Sequence, residues 1–214
     1  MAQSSEWSAE PFVPDSRRLS VLADAALSCT GCPLYRDTVQ TVFGEGSPRA
    51  ALILVGEQPG DQEDRQGKPF VGPAGRVLWR CLDEAGIDAK RVYLTNAVKH
   101  FKHEDRGKRR LHKRPTAAEA DACHPWLDAE LEAVHARVVV ALGAVAARAV
   151  TGKAMAVAAS RGRPFALGER IAFITYHPSA VLRRQEDAAE VRSLLVADLR
   201  SAAVAAGLAD RSSG

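Results

Sequence analysis

Ala51 to Gly75 reads ALILVGEQPGDQEDRQGKPFVGPAG. The run Ala51–Val55 is short, apolar and closed by Gly56, which is the pattern of a buried strand ending in a loop. Open α/β sheets take their ligands at such strand ends. The loop offers carboxylates at Glu57 and Asp61, an amide at Gln58, backbone N–H groups around Gly60 and Asp61, and one aromatic ring at Phe70. Those groups suit a flat polar molecule better than a phosphate chain. The segment lacks the Gly-Lys-Ser/Thr ending of a P-loop and the Gly-x-Gly-x-x-Gly of a dinucleotide fold, which argues against nucleotide triphosphates and NAD. A tight turn with solvated acids is the bland alternative, but Phe70 among glycines is hard to place on a surface.

Working outward, apolar runs predict three more strands, at Val92–Val98, Arg137–Leu142 and Arg170–Thr175. Helical spacing appears in Ser16–Leu27, Ala74–Ala85, Thr116–Val134, Ala144–Val150 and Glu186–Ala205. Thr116 with Glu119 three residues later forms a capping box. Thr38–Gly46 suits a short extended piece. Alternating strands and helices predict an α/β fold, a three-layer α/β/α domain on a central, mostly parallel four-stranded sheet. Loops after Val55, Val98, Leu142 and Thr175 then share one rim, where Glu57, Asn96 and His177 can meet.

A chain of 214 residues, 46% hydrophobic, suits one such domain over residues 17–208. Flexible tails are expected at 1–16 and 209–214. No apolar run approaches the roughly 20 residues of a membrane helix, and the start has no secretory pattern, so a cytoplasmic protein is expected; a monomer is also expected. Net charge is only +3, yet Lys99–Arg114 (KHFKHEDRGKRRLHKR) holds eight Lys/Arg against Glu104 and Asp105. A basic block on a near-neutral body suits a local nucleic-acid contact; a solvated loop is the alternative.

Four cysteines occur, Cys29, Cys32, Cys81 and Cys123. In a cytosolic chain metal ligation or burial is expected before disulfides. The Cys29-x2-Cys32 spacing lets both sulfurs reach one centre; zinc and a redox dithiol remain open beside iron. Cys81, among Leu78, Trp79 and Leu82, reads as core.

The segment GEQPGDQEDRQGKPFVGPAG resembles the first motif of the iron–sulfur uracil-DNA glycosylases called family 4. The similarity extends over roughly Cys29 to Arg200, and it is nearest the branch called UdgX, whose members cross-link to DNA. It implies a [4Fe–4S] cluster on Cys29, Cys32, His100 and Cys123, with histidine where most of the family has cysteine; a three-cysteine cluster without His100 is the main alternative and a zinc site the next. It implies uracil-containing DNA, single-stranded or duplex, as the partner. Asn96 would read the uracil edge, Phe70 would stack on the ring, and the Gly60–Asp61 backbone would bind a carbonyl. His177, opening His-Pro-Ser-Ala-Val-Leu-Arg183, would stabilise the departing uracil anion. Ser179 would contact a phosphate, and Arg183 a phosphate or the adjoining loop. Lys108, Arg109, Arg110 and Lys113 would meet the DNA. His112, in the basic loop of this branch, would bond covalently to the sugar, with Glu57 orienting it and Gln58 disfavouring water. Two rival readings are a hydrolytic glycosylase with water as nucleophile and a non-catalytic iron–sulfur DNA-binding protein.

Overall fold

The computed structural model describes residues 7–107, 109–183 and 186–208. In chain order the elements are α1 (Leu19–Ala26), β1 (Leu52–Gly56), α2 (Asp61–Gln66), α3 (Pro73–Glu84), β2 (Val92–Asn96), β3 (His103–Arg106), β4 (Arg109–His112), α4 (Ala117–Ala133), β5 (Val138–Leu142), α5 (Ala144–Thr151), α6 (Val157–Ser160), β6 (Pro164–Leu167), β7 (Arg170–Thr175), α7 (Ser179–Arg183) and α8 (Ala188–Ala205).

The central sheet runs β2-β1-β5-β7-β6. Its first four strands are parallel and β6 joins antiparallel at the edge, so the sheet has five strands rather than the expected four. Strands β1, β2 and β5 are buried along their whole length, as both-faces-covered parallel strands must be. Alternation divides the core. Leu52, Leu54, Val138 and Val140 pack with α3 and α8 through Leu78, Leu82, Leu195 and Leu199. Ile53, Val55, Val139 and Ile174 pack with α4 and α5 through Leu127, Ala146 and Ala147. This is the three-layer arrangement expected from the pattern.

Helix α4 begins with the expected capping box: the Glu119 N–H donates to Thr116 Oγ1, and the Thr116 N–H donates to Glu119 Oε2. Residues 7–16, expected as a loose tail, carry a 3-10 turn at Glu10–Phe12, and the buried Ala9 donates its N–H to the Ala122 carbonyl. Residues 1–6 and 209–214 lie outside the described part. The basic block is not one long loop. Its middle is an antiparallel hairpin, β3–β4, with His103 opposite His112 and Arg106 opposite Arg109.

Candidate active site

Three strand ends build the site. β1 ends at Gly56 and β2 at Asn96, which are paired in register, and β7 ends at Thr175, two residues before His177. A Cβ on Gly56 would stand 2.3 Å from Asn96 Oδ1 and 2.7 Å from Phe70 Cζ. Glycine is therefore what allows the amide and the ring to meet over the strand. Phe70 has φ of 55°, a left-handed value costly for a bulky residue. Its carbonyl passes so close to Gly75 that a Cβ there would be 1.8 Å away. The Phe70 ring lies 6.3 Å from the His177 ring at 31°.

These groups face one cavity of about 580 Å³. Its lining includes the expected Glu57, Gln58, Gly60, Asp61, Phe70, Asn96, His112, His177, Ser179 and Arg183. It also includes residues that sequence reasoning missed. Glu63 accepts the Gly72 N–H at 2.8 Å and ties α2 to the start of α3. Leu182 lines the cavity while 47% exposed, an apolar side chain at its edge. Its place in the His177–Arg183 motif was a visible signal, but hydropathy alone gives no reason for an exposed leucine.

The His177 tautomer follows from its neighbours. The Ser179 N–H donates to Nδ1 at 3.2 Å, and the Ser179 hydroxyl lies 2.8 Å from the same nitrogen. Arg183 Nη1 donates to Ser179 Oγ at 2.8 Å, which turns the hydroxyl hydrogen toward Nδ1. Nδ1 is thus the acceptor and Nε2 carries the proton. Burial first, then the Arg183 cation and His112, push the His177 pKa down to about 4. The ring is a neutral N–H donor at neutral pH.

His112 ends β4, with Nε2 3.6 Å from Glu57 Oε1. Its side chain is half exposed. Burial, then Arg183, lower its pKa, which favours a free nitrogen lone pair. Burial raises the Glu57 pKa against the pull of Arg114 and Arg183. Gln58 spends its amide on the hairpin root. Nε2 donates to the carbonyls of Lys102 and Lys113, at 3.1 and 3.0 Å, and Oε1 accepts the Lys102 N–H at 3.0 Å. Phe101 stacks on His103 at 4.9 Å and lies 6.1 Å from the His112 ring.

The basic block is less free than its charge suggests. Arg110, expected to meet DNA, donates from Nε to Asp61 and from Nη1 to the fully buried Asp64, which docks the hairpin on α2. Lys113, expected in the same role, pairs with Glu104. Lys102 pairs with Glu119, and Lys99 is buried against Glu130. Arg106, Arg109 and Arg114 are exposed. Lys108 lies outside the described residues. Ser179, expected on a phosphate, is engaged by His177 and Arg183.

Cys29, Cys32 and Cys123 are buried in one cluster with Trp126 and Val98. Each interacts with another: burial raises the Cys32 thiol, burial pushes Cys123 up to about 12, and neighbouring cysteines add to both. The Trp126 indole N–H donates to Cys29 Sγ at 3.2 Å, and the Lys99 backbone N–H to Cys123 Sγ at 3.3 Å. His100 Nε2 lies 3.0 Å from Thr41 Oγ1. Among the described residues no group of three or more His, Cys, Asp and Glu stands together as a metal-ion site. Cys81 is buried between α3 and α8, as expected of a core residue.

No helix among the described residues is long and apolar enough to cross a membrane. Residues 43–200 match the family model of the uracil DNA glycosylase superfamily. The chain is 36% identical to a Type-4 uracil-DNA glycosylase of Thermotoga maritima, over 86% of this chain and 92% of that protein. It is 31% identical to the Type-4 uracil-DNA glycosylase of Sulfurisphaera tokodaii, over 85% and 87%. A Type-5 uracil-DNA glycosylase of Pyrobaculum aerophilum is 32% identical over 72% and 79%. With that match spanning all four parallel strands and the whole cavity, the chain belongs to the uracil-DNA glycosylase superfamily.

Proposed function

We propose that this protein excises uracil from DNA and captures the resulting sugar on His112. The observation that carries the second half is the meeting of His112 and Glu57 at 3.6 Å, on the cavity that Asn96, Phe70 and His177 also line.

A glycosylase draws its base out of the stack, or takes a single strand, at a cost of a few kcal/mol. Leu182 is suited to fill the gap the base leaves, since it is apolar and exposed at the cavity edge. The uracil ring slides against Phe70. The Asn96 amide offers both a donor and an acceptor to the O4 and N3–H edge. The N1–C1′ bond then breaks with both electrons leaving on uracil. His177 Nε2–H donates to O2 as negative charge gathers there. The sugar is left as an oxocarbenium ion. A lone pair of the neutral His112 ring forms the new N–C1′ bond, and the proton on the ring's other nitrogen leaves to Glu57 or solvent. A held nucleophile outcompetes water because its effective concentration is large. Exposed Arg109 supports DNA phosphates; Arg110 and Gln58 support the hairpin that carries His112. One chain carries every group invoked, so the chemistry calls on no second copy.

Cys29, Cys32, Cys123 and His100 are assigned to a [4Fe–4S] cluster. The fit is chemical: three mutually interacting buried thiols, two of them receiving N–H hydrogen bonds, match cluster thiolates. When bound, the cluster supplies a structural cross-link between the 29–32 loop, residues 99–100 and α4. The residues themselves tie the chain just beyond β2 to α4, through the Lys99 N–H on Cys123.

The test mixes the protein with a labelled single-stranded oligonucleotide bearing one uracil, followed by a denaturing gel. Wild type, His112→Ser and a thymine control are compared. A heat- and SDS-resistant shifted band with wild type alone is the expected result. Free abasic product without a shifted band would leave water as the nucleophile. Intact DNA in every lane would leave only a binding protein.

A further inference from the structure

The cavity chemistry leaves one costly feature unexplained. Lys99 and Glu130 form an ion pair at 2.5 Å with both side chains 1% exposed. Apolar replacements of such pairs are often equally stable, so stability alone does not account for it. What the pair touches is more telling. The Lys99 Nζ uses all three donors: to Glu130 Oε2, to Thr95 Oγ1 at 2.7 Å and to the Asn96 carbonyl at 2.7 Å. Glu130 gathers Tyr93 Oη at 2.8 Å, the Thr95 hydroxyl and the Gly44 N–H at 2.9 Å. The pair is thus tied to three residues of β2 and to the strand's final peptide.

Strand β2 is at the edge of the sheet, with β1 on one side; on the other the backbone of Glu45 exchanges two hydrogen bonds with Leu94. On the β1 side the chain beyond Asn96 is well held: the Ala97 N–H donates to the Gly56 carbonyl and the Val98 N–H to the Glu57 carbonyl. On the other side the Glu45 pairing stops at Leu94, and among the described residues it is Lys99 that holds the Asn96 carbonyl. The Asn96 side chain works in a tight space, since its Oδ1 packs on Gly56 beside Phe70. A small rotation of the Asn96 peptide would swing the amide off the plane of a stacked base.

We propose that the buried Lys99–Glu130 pair is a positioning device that fixes the Asn96 amide for reading the base. This rests on the reading of Asn96 as the group that meets the uracil edge. Lys99 and Glu130 do not face the cavity and act only through Asn96. The lysine that opens the basic block therefore serves base recognition from behind the strand, not phosphate binding.

A double-mutant cycle tests this, because only a residue acting through Asn96 loses its effect when Asn96 is gone. Lys99→Met alone strands a buried carboxylate and risks unfolding. The cycle therefore uses Lys99→Met/Glu130→Gln, with Lys99→Met/Glu130→Leu as the second form; both keep the Lys99 backbone N–H on Cys123. Each is measured with Asn96 present and with Asn96→Ala, as single-turnover uracil release from a saturating single-stranded oligonucleotide. The expected result is a fall of about tenfold or more with Asn96 present, and less than about twofold in the Asn96→Ala background. An equal fall in both backgrounds would mark a merely structural pair and overturn the proposal. So would release within twofold of wild type in the Asn96 background. Asn96→Ala releasing uracil as fast as wild type would instead remove the base-reading role, and the proposal with it.

Discussion

Gln58→Ala asks whether the hairpin must be held for capture. The side chain makes three hydrogen bonds, all to backbone groups at the two roots of the hairpin, Lys102 and Lys113. At about 1 kcal/mol net for each, closure of that root loses about 3 kcal/mol, a ceiling of roughly 150-fold in the population of the docked arrangement. Water can serve some of the freed groups, so a fall of about tenfold or more is expected. Arg110 still grips Asp61 and Asp64, so the hairpin stays attached while His112 loses its register. Asn96 and His177 follow strands that Gln58 does not hold, so uracil release should stay within about threefold of wild type. The assay is single-turnover, following free uracil and the shifted DNA band from one reaction. The rate of band formation should drop while uracil release persists, with free abasic DNA making up the difference. Adduct formation within twofold of wild type would show that the Gln58 contacts do not position His112, and would refute the reasoning.

Other outcomes follow from the same geometry. Burial and Arg183 hold His177 near a pKa of about 4, so its titration should leave uracil release flat from pH 8 to about 5 and lower it as pH drops through about 4, where a proton on Nδ1 displaces the Ser179 contacts that orient the ring; a fall centred near 6.5 would contradict it. The linkage has a definite sign. The unfolded histidine takes up its proton near its usual 6.5 while the folded one waits until about 4, so the His177 contribution to stability is complete above 6.5 and lost toward 4, measurable in denaturant midpoints against pH. Gly75→Ala forces a Cβ to 1.8 Å from the Phe70 carbonyl, so it should displace the ring, lower the melting temperature and cut uracil release by more than about tenfold. Lys99→Met should cost about 3–5 kcal/mol in chemical denaturation by stranding Glu130, and adding Glu130→Gln should recover much of that loss.

Parts of this were legible in the chain, and the reasons differ residue by residue. β1, β5 and β7 announce themselves because a strand covered on both faces must be continuously apolar. Thr116 and Glu119 marked the start of α4 because capping is a local matter. β6 escaped because it opens on Pro164 and is only half buried, so it carries little hydrophobic signal. The hairpin escaped because His103–Arg106 and Arg109–His112 are polar except for Leu111 and mostly exposed; Gly107, which takes φ of 61° at its turn, was the one available cue. α2 was hidden in a run of acids, although Asp61 and Arg65 at i and i+4 and the left-handed Gly67 are helix signals. The cavity residues were readable from motif positions. Their support was not, since Lys99 looks like any surface lysine until Glu130 is folded against it. The same holds for Arg110, whose partners lie more than forty positions back.

Among the described residues the β3–β4 hairpin forms a sheet of its own, sharing no strand pairing with the five strands. It is moored at its base by Gln58 and midway by Arg110, and a Cβ at its Gly107 turn would meet nothing within 4 Å. Such an appendage can be lengthened, recoloured with other charges or shortened while the central sheet keeps its shape. The part that bears His112 is thus separable, in evolution and in protein engineering, from the part that bears Asn96 and His177. A designer wishing to give a related fold the covalent capture proposed for His112 would transplant the hairpin together with its two moorings.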